Sequence, residues 1–137
     1  SAMIRRSMAP RAGFDLRLEA FSDYLFLVET SLNGPIHALD ETLARYRVHS
    51  GSFSGAGPAD HEDIWLTLEL LEQTYPALRS AVRQARAHLG YRRARARYSK
   101  GDLRGAREAL LQSLANEIRP KSLVWLALLS FLSITRR

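Results

Sequence analysis

The sequence predicts a mostly α-helical fold with one short β-hairpin, and three observations carry that prediction. Beyond residue 60, apolar residues recur at three- and four-residue spacing almost to the end of the chain. Ahead of that region, Gly13–Ser54 joins an apolar segment to a moderately alternating one. Between them lies Ser50–Pro58 (SGSFSGAGP), with three glycines and a proline in nine positions. Such a run is a loop. It divides the 137 residues into 1–57 and 58–137.

Taken in order, Ile4–Arg11 is basic, contains Pro10 and reads as extended or irregular. Ser22 suits an N-cap, and Asp23 then falls in the first turn, where a carboxylate complements the helix dipole. Tyr24, Leu25, Phe26, Leu27, Val28 and Leu32 are apolar nearly all round, the pattern of a helix covered on most sides. Asn33-Gly34 supplies a left-handed C-cap, and Pro35 prevents continuation. The hairpin is expected from Ile36–Leu39 and Thr42–His49, joined by Asp40-Glu41, with Leu43, Arg45 and Arg47 alternating against Ala44, Tyr46 and Val48.

The remainder reads as helices. Asp60 caps a segment through Tyr75 whose stripe is Ile64, Leu68, Leu71 and Tyr75. Pro76 ends it or starts the next, which spans Ala77–Tyr98 and shifts its stripe near Gly90, suggesting a bend. Lys100-Gly101 is a turn, and Asp102 is the N-cap of a helix carrying Leu103, Ala106, Leu110 and Leu114. Lys121–Ile134 is a last, very apolar helix. Its longest uninterrupted apolar run, Leu123–Leu129, falls well short of the ~20 residues of a membrane span.

Composition narrows the chemistry. Hydrophobic residues make up 46% of the chain and charged residues 25%, enough for a core and unlike a disordered composition. The absence of cysteine excludes disulfides, thiolate metal sites and a cysteine nucleophile, and suits a reducing compartment. Twenty Lys+Arg against fourteen Asp+Glu give +6, nearly all of it arginine, since lysine occurs at Lys100 and Lys121 alone. Arg79, Arg83, Arg86, Arg93 and Arg97 share one helix face, with Arg92 and Arg95 beside them. No groove-reading motif accompanies them, so a solvated face is expected and nucleic acid is not. Ser1-Ala2-Met3 reads as an added leader ahead of a piece of a longer protein.

Gly13-Phe14-Asp15, then Asp23-Tyr24, Gly34, and Tyr46-Arg47-Val48-His49 before Ser54 together resemble the C-terminal part of the catalytic domain of family 2 glycosyltransferases of the GT-A type. Arg95–Leu114 followed by Pro120 is similar to the helical tail that many bacterial members carry. The resemblance implies a C-terminal fragment of a GT-A α/β domain followed by a helical, bundle-like tail. The enzyme it implies inverts configuration as it moves a sugar from a nucleotide diphosphate to a hydroxyl acceptor.

In that family the acid at the position of Asp23 is the general base, taking the acceptor's proton as the hydroxyl attacks the anomeric carbon. Arg47 would contact phosphate, for which guanidinium is suited. His49 would face the metal and diphosphate, and the full-length enzyme would carry Mn or Mg. The chain departs from the pattern at Ser22, where Glu is usual, at Glu29, where Arg is frequent, and at Leu25, where a polar residue is frequent. The nucleotide-binding half precedes this region in the family and is not in this sequence. The fragment alone is therefore expected neither to bind a sugar nucleotide nor to turn over.

The expected location is the cytoplasm or the inner membrane surface. Apolar surface on the first and last helices leads to an expected homodimer through the N-terminal helix–strand region or the last helix. The competing reading is a non-catalytic helical interaction module, because Tyr98–Leu114 looks like half of a tetratricopeptide unit, with G-D-x-x-x-A at the helix turn.

Overall fold

The computed structural model describes residues 2–45, 47 and 61–135, the last five as backbone only. It forms two compact units, Ser1–Gly57 and Pro58–Arg137. Every regular element among the described residues is helical.

The first unit holds a 3₁₀ turn, Arg6–Met8, and one α-helix, α1 (Ser22–Leu32). Its buried residues are Leu18, Leu25 and Thr30. The start of α1 differs from expectation. Ser22 is the first helical residue, and the N-cap position belongs to Phe21, which takes a left-handed conformation with φ 61°. The end differs too: Asn33 is right-handed and donates its side-chain amide to Met8 O at 2.9 Å. At Gly34 a Cβ would meet only the flexible end of the Met8 side chain, which can move aside.

No strand or hairpin forms among the described residues, Tyr46, Val48 and His49 lying outside them, and with the hairpin goes the α/β fragment that the resemblance implied. Residues 35–45 and 47 contain no strand and are exposed throughout. Both sides of the alternation face solvent, Leu43 at 61% and Ala44 alike, so no apolar face sets a register. An isolated pair of strands is marginal in water without a further strand or a helix to cover it.

The second unit is an array of four helices: α2 (Glu62–Thr74), α3 (Arg79–Ser99), α4 (Leu103–Asn116) and α5 (Pro120–Thr135). The Asp60 cap lies outside the described residues, and His61 occupies the N-cap position of α2. Pro76 opens a 3₁₀ turn, Pro76–Leu78, between α2 and α3. α3 then runs through Gly90 as one helix.

α3 and α4 form an antiparallel hairpin whose turn is satisfied bond by bond. Gly101, left-handed at φ 81°, donates to Tyr98 O, and the Asp102 amide donates to Arg97 O. This is the Schellman closure, which satisfies the last carbonyls of α3. Asp102 then caps α4, its carboxylate accepting from the Gly105 amide at 2.8 Å. An N-cap of this kind stabilises by ~0.5–2 kcal/mol.

Small residues let the two helices approach: Ala87, Gly90 and Ala94 on α3, with Ala106, Ala109 and Ser113 on α4, all buried. Leu110 and Leu129 complete the core, with Tyr91, Leu103, Trp125 and Leu126 packed around it. The indole of Trp125 meets Tyr98 edge-on at 5.1 Å and Tyr91 at 6.4 Å, which ties α5 to α3 across α4.

The arginine row of α3 is solvated only in part: Arg79 and Arg83 are exposed, whereas Arg86, Arg93 and Arg97 are half-buried. Arg79 and Arg86 both pair with Glu72 of α2, Arg93 pairs with Glu62 of α2, and Arg83 donates to Asn116 O at the end of α4. Arg97 turns to Asp102. The guanidinium of Arg93 also lies 5.8 Å above the Trp65 ring. The spacing thus sets Arg79, Arg86 and Arg93 opposite the acids of α2.

Candidate functional site

Asp23 lies in the first turn of α1, exposed to solvent, with one carboxylate oxygen accepting the Tyr24 amide at 2.7 Å. Free amides at a helix start and the dipole both favour the charged carboxylate there. An exposed carboxylate so held can accept a proton from a hydroxyl brought to it.

The loop ahead of the helix is fastened to it. The ring of Phe14 stacks on Phe26 with centroids 4.7 Å apart. Phe26 follows Asp23 by three positions, so the two share one side of α1. Gly13-Phe14-Asp15 is thereby brought to the flank of the helix that carries Asp23. Gly13 permits the bend, with φ 72°.

Asp15 is itself engaged. The Arg17 guanidinium donates three charge-assisted bonds to it, Nε to Oδ1 at 2.9 Å and to Oδ2 at 3.2 Å and NH2 to Oδ2 at 2.6 Å, and the Arg17 amide adds a fourth at 3.0 Å. The side-chain bond from Arg17, then the backbone bond, pull the Asp15 carboxyl down to about 2. The same pair raises the Arg17 guanidinium further above its usual range. Asp15 therefore stays ionised and occupied at neutral pH, a structural anchor and not a base. Sequence reasoning missed Arg17, although Asp-x-Arg in a tight loop is a readable signal for this fork.

Arg47 is exposed, as phosphate contact would need, and His49 lies outside the described residues. Among the described residues, no three His, Asp or Glu side chains converge as metal ligands. An open cleft of about 500 Å³ lies elsewhere, where the start of α3 meets the end of α4, lined by Arg79, Ser80, Arg83, Gln84, Asn116 and Glu117. Neither Asp23 nor Arg47 lines it.

No protein-family model, curated protein or solved structure matches this chain.

Among the described residues, two buried polar atoms lack a hydrogen-bond partner, Trp65 Nε1 and Arg93 Nε, both in the Glu62–Trp65–Arg93 cluster between α2 and α3. No helix among the described residues is long and apolar enough to cross a membrane.

Proposed function

We propose that this chain is the acceptor-side segment of an enzyme that transfers a sugar from a nucleotide diphosphate to a hydroxyl group, with Asp23 as the general base. The observation that carries the reading is the placement of Asp23. It is an exposed carboxylate on the first turn of α1, beside the Gly13-Phe14-Asp15 loop that the Phe14–Phe26 stack fastens to that helix. The ordered motifs of Gly13–Ser54 supply the reaction class.

In this reading the acceptor hydroxyl donates its proton to Asp23 while its oxygen attacks the anomeric carbon. The nucleotide diphosphate leaves with the bonding electron pair. Arg47 meets the phosphates. Asp15 and Arg17 hold the loop and move no proton.

The test is transfer by the protein that contains this segment, assayed with nucleotide-diphosphate sugars and hydroxyl acceptors. Replacing Asp23 by Asn lowers turnover on the order of a hundredfold, within the range of a general base. Near-wild-type turnover in that variant removes Asp23 from the mechanism.

A second reading, a helical interaction module, is favoured by the α3–α4 hairpin, with its Gly101-Asp102 turn and the buried small residues Ala94 and Ala106. Absence of sugar transfer from the containing protein, with every donor class tried, would leave this second reading standing.

A further inference from the structure

We infer that the outer face of α5 seats in the headgroup region of an anionic lipid surface. Leu129, Trp125 and Leu126 turn α5 toward the core on α4 and α3, and Ser122 is fully buried on the same side. On the other side Leu123, Val124 and Leu128 stand 47%, 59% and 54% exposed, and Ala127 lies open among them. Ile118, just ahead of the helix, is 76% exposed. α5 is an outermost element of its unit, packed along α4, so this row is presented outward without obstruction from α2.

Charge selects the occupant. At the start of the helix Arg119 is paired with Glu117, which leaves Lys121 as the exposed cation before the apolar row. From Ile118 to Arg137 the sequence has no acidic residue, and Arg136 and Arg137 follow the row. The chain as a whole carries +6. A second copy laid on this face would bring cationic ends together, whether the helices ran parallel or antiparallel, and like charges in apposition oppose docking. A lipid surface bearing negative headgroups satisfies both features at once: the aliphatic row enters the acyl boundary while Lys121, exposed at the start of the helix, stays at headgroup level. The helix lies in the plane of the surface and does not cross it, being too short and too partial in its apolar exposure to span. This inference stands apart from the sugar-transfer reading.

Vesicle co-sedimentation tests it. The chain is mixed with vesicles of phosphatidylcholine alone, or of an equal mixture of phosphatidylcholine and phosphatidylglycerol, at low and high salt. We expect at least about tenfold stronger binding to the anionic vesicles at low salt, weakened as salt screens the cations. The double variant Leu123→Ser/Leu128→Ser should lose about tenfold of that binding, since interfacial affinity scales with the apolar area inserted. Both side chains are half exposed, so the variant keeps its helicity, which circular dichroism checks. Equal binding to neutral and anionic vesicles would overturn the proposal. Binding untouched by the double variant would do the same, as would a dimer at working concentration that the double variant dissolves.

Discussion

Gly90 of α3 lies directly against Ser113 of α4. A Cβ built on the glycine would stand 3.1 Å from both the Cα and the Cβ of Ser113 and 3.2 Å from Ala109 O. The atoms in the way belong to a helix backbone and its first side-chain carbon, which cannot swing aside. The approach of the two helices at this point is therefore set by the absence of a side chain at 90.

Replacing Gly90 by Ala pits two effects against each other. Alanine gains ~1 kcal/mol of helix propensity over glycine. Forcing one carbon into a well-packed seam costs ~1–3 kcal/mol. Steric cost prevails here, and a net loss of about 1 kcal/mol is expected, read as a lower urea midpoint at unchanged slope. Gly90→Val should lose more, because branching adds a second carbon to the same contact. A stabilised Gly90→Ala would show that α4 can shift away at little cost.

Ser113 adds polar specificity to the same seam. Its hydroxyl donates to Ala87 O at 2.7 Å and lies 3.4 Å from the hydroxyl of Ser122, with both serines fully buried. Ser113→Ala should cost ~1–2 kcal/mol, since a buried bond is lost and Ser122 is left poorly satisfied. Ser122→Ala should cost less, its contact to Ser113 being long. The double variant should then be less destabilised than the sum of the two, by roughly 0.5 kcal/mol. Strict additivity in that cycle would mean the two hydroxyls do not interact.

The helical half of the fold was legible because its signals are local. Pro76, Gly101, Asp102 and Pro120 act within a turn of their own positions, and the Leu and Ala stripes follow from helix period alone. The hairpin failed because a strand is a property of two segments. Alternation of Leu43 against Ala44 supplies a pattern, but both are exposed. The arginine row was legible as a face, but its pairing with Glu62 and Glu72 was not, since those partners lie on another helix, α2. In the candidate site, Asp23 was legible as a first-turn acid. The stack that brings Phe14 to Phe26 crosses twelve positions of irregular chain, and the left-handed Phe21 defies the usual preference for glycine or asparagine there, so neither could be read from spacing.

The Asp15–Arg17 fork makes a pH dependence in the loop beside α1. In the folded chain the hydrogen bonds from Arg17 pull the Asp15 carboxyl down to about 2, from an ordinary value of 3.8. The unfolded chain, lacking the fork, takes up its proton near the ordinary value. Between these two values the unfolded state binds more proton than the folded one, so acid favours unfolding of the loop in that window. The contribution of the pair is fully present above pH 3.8 and is lost as pH falls toward 2. Arg17 stays charged throughout, so Asp15 alone sets the transition. Carbon-detected NMR titration of the Asp15 carboxyl should give a midpoint near 2, and Arg17→Ala should return it toward 3.8. The Arg17 side chain is 66% exposed, so high salt should raise the wild-type midpoint part of the way by screening the pair. A wild-type midpoint at the ordinary carboxylate value, insensitive to Arg17→Ala, would mean the fork does not persist in solution and that Asp15 is available for another role.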